Sequence, residues 1–372
     1  MGMLERVRLY REIEERRKRP LIAYFTSQRP GANGRMAGDV VSEFIDQLQK
    51  IPDTDSIDLL IESSGGDALV AWRVMSILRE KIETISVLVP CSAFSAATLL
   101  ALGGDEIVMG RYGCLGPIDP QISVKNKDGN EAVSSYQDFV SYLDFFKKEA
   151  GVTHQEHTEK AFLQLCDNVD PWKLGMARRA SSLSVTIAEK LLQTHMTTKE
   201  EKIRATDIAK KLNESFFSHG HALGRREAKQ IGLKVSDADV ALENLVWKIH
   251  EDVEKDLKFR QPFDPISLFL SDPQAAPYLQ SPPPIHIPPQ IPQQVAIQLL
   301  QEYFNRQLNV TLPKIGINLT FAIMESTRHV SAFEMESQIL LMRTLDLKFL
   351  ANRVDLKAGW VVKTLPQTGT GG

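Results

Sequence analysis

Ser95 and the glycine pair Gly65-Gly66 are the residues whose types and placement could do chemistry. Ser95 lies at the break between an apolar run, Ile85 to Val89, and a small-residue segment, Ala96 to Leu102. Gly65-Gly66 occupies the equivalent break one unit earlier, between the apolar run Ile57 to Ile61 and the amphipathic stretch Ala68 to Arg79. Backbone N–H groups at such a break have no helical partner, and a residue without Cβ lets a substrate carbonyl approach. A serine hydroxyl beside two N–H donors is the minimum equipment for acyl transfer: the hydroxyl attacks, and the amides hold the oxyanion. The expected donors are Gly65 or Gly66, together with Ala96, the residue after the nucleophile. The plain alternative for Ser95 is a helix N-cap.

Placing these residues side by side needs a particular scaffold. Ile57–Ile61, Ile85–Val89 and Glu106–Met109 read as strands, with helices Ala68–Arg79 and Ala96–Leu102 between them. Strand, turn and helix repeated in this way require a parallel sheet, whose carboxyl edge is where ligands bind in open α/β folds. Leu21–Phe25 is a further core strand, and Asp39 caps a helix running to Leu48. Met3 to Lys18 reads as a charged surface helix. A helical block follows at Ser135–Glu149, Gln155–Leu165 and Pro171–Gln193, and a long charged helix spans Val235 to Lys258.

Several segments of the chain resemble a known superfamily. They are Ser64-Gly65-Gly66, Phe94-Ser95-Ala96-Ala97-Thr98, the block Ala101 to Met109, Leu115-Gly116-Pro117-Ile118-Asp119-Pro120-Gln121, and, much later, Phe217-Ser218-His219-Gly220 with Glu227 to Leu233. In this order they resemble the Clp-type and signal-peptide-peptidase-A serine peptidases, most closely the serine dehydrogenase proteinase family. The likeness runs from about Arg19 to Val235. It implies a Clp/crotonase-like α/β fold of repeated ββα units with a helical insertion. The activity implied is that of a serine endopeptidase cleaving unfolded or peptide substrates through an acyl-enzyme on Ser95. Homo-oligomeric assembly is implied as well.

The same resemblance frames the choice of base. At the place where Clp peptidases carry their histidine this chain has Asp119, and where they carry their aspartate it has His219. An exchange of roles follows, with His219 as general base and Asp119 orienting it; triads are defined by geometry and not by chain order. His221 is a second candidate base. A Ser–Lys dyad of the signal-peptide-peptidase kind is the other scheme, with Lys160 or Lys173 as the amine, and it requires desolvation to depress the lysine pKa. Two departures from the family stand out: Ser64 where relatives have proline, and Ala97 where they have glycine. They favour the rival reading, a catalytically weak or inactive Clp-like scaffold that oligomerises and binds partner proteins. Acyl-CoA chemistry of the crotonase kind would need an adenine-binding loop and a catalytic glutamate near the second helix, and neither is evident.

Bulk properties bound the rest. The chain has 372 residues, 43% hydrophobic and 24% charged, with a formal net charge of −3, which argues against a nucleic-acid-binding surface. Three cysteines, Cys91, Cys114 and Cys166, form no CxxC pair; they point to a reducing, cytoplasmic setting. There is no apolar run of about 18 residues to span a membrane and no secretory h-region. His154 and His157 lack the cysteine or carboxylate cluster of a zinc site, and no GxxxxGK[ST] motif is present, so neither metal nor other cofactor is expected. The expected division is a peptidase domain, 1–258, a Pro-rich linker, 259–292, and a small C-terminal α+β module, 293–372, offering a surface for a partner protein. The Leu365-Pro366-Gln367-Thr368-Gly369 string resembles a sortase signal but lacks the hydrophobic and basic residues that would follow one, and reads as chance or an appended tail.

Overall fold

The computed structural model describes residues 2–125, 131–216, 218–273, 284–308, 314–343 and 348–365. The chain opens with helix α1 (Met3–Arg17) and strand β1 (Leu21–Thr26), then a small hairpin of β2 (Gln28–Arg29) and β3 (Ala32–Asn33). Helix α2 (Val40–Lys50) leads to the repeat that carries the site: β4 (Ser56–Glu62), α3 (Ala68–Arg79), β5 (Thr84–Val89), β6 (Ser92–Ala93), α4 (Ala96–Leu102), β7 (Glu106–Met109) and β8 (Cys114–Leu115). A second hairpin, β9 (Gln121–Lys125) with β10 (Glu131–Ser135), precedes the helical insertion α5 (Tyr136–Asp144), α6 (Gln155–Asn168), α7 (Pro171–Leu192) and α8 (Lys199–Glu214). Then follow β11 (Leu223–Gly224), α9 (Arg225–Gln230), β12 (Val235–Asp237), α10 (Val240–Asp256), α11 (Pro265–Ser271), α12 (Gln293–Leu308) and three long strands, β13 (Lys314–Glu325), β14 (Val330–Arg343) and β15 (Phe349–Lys363).

The main sheet has the strand order β12-β7-β5-β4-β1-β13-β14-β15. The five strands from β12 to β1 are parallel, as the strand–helix repeat demanded, and β13 joins β1 antiparallel. These parallel strands read as unbroken apolar runs because both faces are covered. Tyr24, Leu59, Ile61, Val87 and Val89 pack under α2, α3 and α4, while Leu21, Ala23, Phe25, Leu60 and Leu88 pack under α1 and α10. Each repeat gives one strand to this sheet and a short second strand to a small sheet ordered β11-β8-β6, to which Ser63 adds a single bridge with Ala93. That is the ββα repeat with a helical insertion expected from the sequence.

Four readings need amendment. Val235 to Asp237 does not begin the long helix: it is an edge strand parallel to β7, and the helix starts only where Asp239 accepts hydrogen bonds from Ala241 N and Leu242 N. The Pro-rich stretch holds a helix, α11, with Pro265 in its first turn, Asp264 as its cap and Phe269 fully buried. Its central prolines lie outside the described residues, as does the LPQTG string apart from Leu365. The three C-terminal strands extend the main sheet and do not fold back into a module of their own; Ala322 and Met324 belong to the core on one face of the sheet, Ile323 and Ala332 to that on the other. Lastly, α1 is not a solvated surface helix on all sides. Arg6 is 2% exposed and pairs with Glu325 and Asp252 at 2.7 Å each.

Candidate active site

Ser95 sits in the tight connection from β6 to α4, half-buried, with φ +53° and ψ −116°. A residue with a side chain rarely adopts this region, at a cost of about 1–3 kcal/mol, and it persists only where neighbours over-determine it. Here the neighbours are named. Thr98 Oγ1 lies 2.7 Å from Ala93 O and 2.9 Å from Gly116 O, and accepts from Gly116 N. Phe94 N donates to Ser63 O, and Ala97 N to Phe94 O. The hydroxyl of Ser95 makes no capping hydrogen bond to its own helix, so the N-cap alternative does not describe it.

The glycine pair wraps against this turn. A Cβ on Gly65 would stand 2.8 Å from Ser95 Cβ and 2.9 Å from Ala96 N, and a Cβ on Gly66 would lie 2.1 Å from Met36 O. Both glycines have positive φ, +100° and +153°. Sequence alone left open which of them offers its amide. Gly65 is buried, and its N–H donates to Ser63 Oγ at 3.0 Å. Gly66 is exposed, and among the described residues neither its N–H nor that of Ala96 is given to a backbone acceptor. Ser63 also takes a hydrogen bond from Thr26 Oγ1 at 2.8 Å, which pins the turn to β1. Ser63 had no role in the sequence reading; a serine two residues before a glycine turn, able to bond the i+2 amide, was the available signal.

Asp119 and His219 meet. His219 Nδ1 is 2.8 Å from Asp119 Oδ1, while Gln121 Nε2 donates to Asp119 Oδ2 at 2.7 Å. The carboxylate is buried and the imidazole about one-third exposed. Both follow from the small sheet: Asp119 lies just past β8, His219 just before β11, and these strands are paired antiparallel. With Nδ1 engaged, Nε2 is the nitrogen left to accept a proton. His221 is turned elsewhere, its Nε2 3.1 Å from both oxygens of Glu227 and its ring stacked on Phe216. Lys160 is exposed, and Lys173 Nζ donates to Ser123 O in an exposed setting, so neither amine is desolvated. Of the two departures from the family pattern, Ser64 donates to Gly34 O at 3.4 Å, and Ala97 is fully buried with its amide bonded.

A parallel α/β sheet built from ββα repeats, with a strained serine and an exposed glycine amide at its carboxyl edge, defines a Clp/crotonase-like protein. Residues 2–129, about a third of the chain, match the profile of the ClpP-like SDH-type serine proteinases. Two uncharacterized proteins of Methanocaldococcus jannaschii are similar over a longer stretch. One is 25% identical over 68% of this chain and 76% of its own length, the other 26% identical over 67% and 78%. Among solved structures, a membrane-bound stomatin-specific protease, 1510-N, aligns at 14% identity with TM-scores of 0.35 and 0.34 in two variants, covering 56% of this chain and 78% and 74% of those chains. An enoyl-CoA hydratase from Shewanella pealeana aligns at 12% identity and TM-score 0.28, over 74% of this chain and 80% of its own. Among the described residues no helix is long and apolar enough to cross a membrane.

Proposed function

We propose that the protein is a serine peptidase that cleaves unfolded or peptide substrates through an acyl-enzyme on Ser95. His219 Nε2 takes the hydroxyl proton as Ser95 Oγ attacks the scissile carbonyl, and later returns it to the leaving amine. Asp119, itself held by Gln121, fixes the imidazole tautomer and stabilises the imidazolium. The amides of Gly66 and Ala96 bind the oxyanion, Gly65 serving as the close-packed hinge between them. The observation that carries this reading is the small three-stranded sheet. Ser95 follows its strand β6, Asp119 its strand β8, and His219 precedes its strand β11, and this shared origin supports assigning them as nucleophile, orienter and base. Every one of these residues lies within 1–258, while the C-terminal strands complete the sheet, and we assign them an accessory role. Self-assembly and a cytoplasmic site of action belong to the same proposal.

A fluorophosphonate probe tests it. Covalent labelling at Ser95, absent in Ser95→Ala and slowed strongly in His219→Gln, with cleavage of an unfolded protein such as casein, is the expected result. An unlabelled wild-type chain that is folded and free of inhibitor would overturn the catalytic reading and leave the scaffold.

A further inference from the structure

A second cluster of chemically competent side chains lies behind the glycine turn, on the α10 side of the sheet, and the proposed peptidase does not use it. Glu62 ends β4, directly before Ser63. Cys91 lies between β5 and β6, and His250 projects from α10. One ligand atom from each of the three lies within 4.8 Å of the other two. Glu62 is 1% and His250 5% exposed, with Glu62 Oε2 2.7 Å from His250 Nδ1. Gln28 Nε2 donates to the other Glu62 oxygen at 3.2 Å and to Ser92 Oγ at 2.9 Å. Among the described residues His250 is the only ion-pair partner of Glu62; no lysine or arginine reaches it. The Trp247 ring lies 4.6 Å from that of His250, and Tyr112 lies 4.7 Å from Trp247, which walls the cluster with aromatic surface.

We infer that Glu62, Cys91 and His250 form a binding site for a borderline-soft divalent cation of the zinc class. The donor set decides the class. A carboxylate oxygen, a thiolate sulfur and an imidazole nitrogen are the three ligand types zinc takes, whereas the sulfur disfavours calcium and magnesium. Geometry agrees: a tetrahedral ion with bonds of about 2.0–2.3 Å needs ligand atoms roughly 3.3–3.8 Å apart. The three atoms already lie within 4.8 Å of one another, and the 2.7 Å Glu62–His250 contact would open to admit the ion. Coordination displaces the Cys91 thiol proton to solvent and requires the His250 nitrogen facing the ion to carry no proton, and water completes the shell. The ligands come from three different elements, so the ion would staple β4, the β5–β6 turn and α10 together just beneath Ser63. Its role is therefore structural support of the turn that aims Gly66. This site was not foreseen in the sequence, where the three residues stand far apart with none of the short spacings that mark zinc motifs.

Titration of the chelator-treated full chain with Co²⁺ tests the inference without reference to peptidase activity. One ion per chain is expected, with a near-ultraviolet thiolate-to-cobalt charge-transfer band that Zn²⁺ abolishes. Cys91→Ser should remove the band while circular dichroism stays native. His250→Gln should weaken binding on the order of 10–100-fold, the loss that removing even an outer partner of a metal ligand produces. The double variant Cys114→Ser with Cys166→Ser leaves Cys91 as the sole thiol and should keep the band, which guards against a misfolded Cys91 variant. A wild-type chain without the band, or a double variant that loses it, would overturn the site.

Discussion

His219 and Asp119, one hundred positions apart in the chain, are joined by a 2.8 Å hydrogen bond from imidazole Nδ1 to carboxylate Oδ1. The contact exists because β8 and β11 pair across the small sheet and deliver their flanking residues to the same place. Asp119→Asn therefore keeps the shape and reverses the hydrogen-bond polarity, stabilising the wrong imidazole tautomer. A fall of up to about 10⁴ in kcat with little change in KM is expected, by analogy with the orienting aspartate of known triads. Gln121→Ala, which removes only the second-oxygen contact, should cost less. Fluorophosphonate labelling rates of the two variants give the order directly, and equal losses would mean Gln121 has a larger role than holding the carboxylate.

Ser63 links the proposed oxyanion turn to the stability of the fold. Its hydroxyl accepts from Gly65 N and Thr26 Oγ1, both buried. Ser63→Ala leaves two buried donors without an acceptor, and about 1–3 kcal/mol of stability is expected to go for each group left unpaired. The released Gly65 amide also loosens the aim of Gly66, so labelling should slow by up to ~10²–10³, the usual worth of one oxyanion donor. Denaturant midpoints measure the first effect and probe kinetics the second. Gly65→Ala provides the limiting case: its methyl would collide with Ser95 Cβ and Ala96 N, and labelling should vanish.

The N- and C-terminal parts of the chain depend on each other through Arg6. Its guanidinium bonds Glu325 on β13 in bidentate fashion, at 2.9 and 2.7 Å, and Asp252 on α10 at 2.7 Å, while Tyr10 donates to the same Glu325. Burial alone would lower the Arg6 pKa, but the hydrogen bond and charge of Glu325 outweigh it and hold the group charged. Arg6→Ala removes the cation that pairs with the buried Glu325, a loss of about 3–5 kcal/mol. A chain ending at residue 258 removes Glu325 and uncovers the edge of β1 from Ala23 to Thr26. Such a truncation should be unstable or insoluble, as judged by thermal melts and size exclusion; a stable, cooperative 1–258 fragment would show that the sheet tolerates losing three strands.

The repeat from β4 to β7 was legible because periodicity and glycine punctuation are local, and a parallel sheet buried on both faces leaves no other reading of those apolar runs. The place of Ser95 and Ala96 at a strand-to-helix break was legible for the same reason. His219 and Asp119 came from family likeness rather than spacing, since nothing local marks a pairing across a hundred residues. The C-terminal strands were misplaced because their alternation, as in Lys314 to Ile323, reports a two-sided sheet but not which neighbour it joins. Arg6 is one charge among many in a helix that reads as surface; its partners Asp252 and Glu325 lie more than two hundred positions away, and an arginine in a charged helix looks the same whether or not it is buried. The proline count near Pro265 was a poor guide for a related reason: proline is at home in a first helical turn.

His329, directly before β14, contacts α2 in a way that is expected to weaken in acid. It is 6% exposed; Lys50 Nζ donates to its Nδ1 at 3.0 Å, and Gln47 Nε2 donates to its backbone oxygen at 3.0 Å. Burial first, and the Lys50 charge second, push the imidazole pKa below its ordinary value of 6.5, while Asp46 pulls the other way. Protonation would remove the acceptor that Lys50 uses and set two cations side by side. The sign follows from linkage: the folded state holds fewer protons than the unfolded state between the lowered pKa and 6.5, so stability rises with pH across that window. The contribution is complete above about 6.5 and is lost as pH falls through the folded-state value. Melting temperatures measured from pH 8 to pH 5 should therefore fall more steeply for wild type than for His329→Gln, whose amide carries no titrating proton. Parallel curves would mean that His329 is protonated with equal ease in both states, and that the contact with Lys50 contributes nothing to the acid sensitivity of the fold.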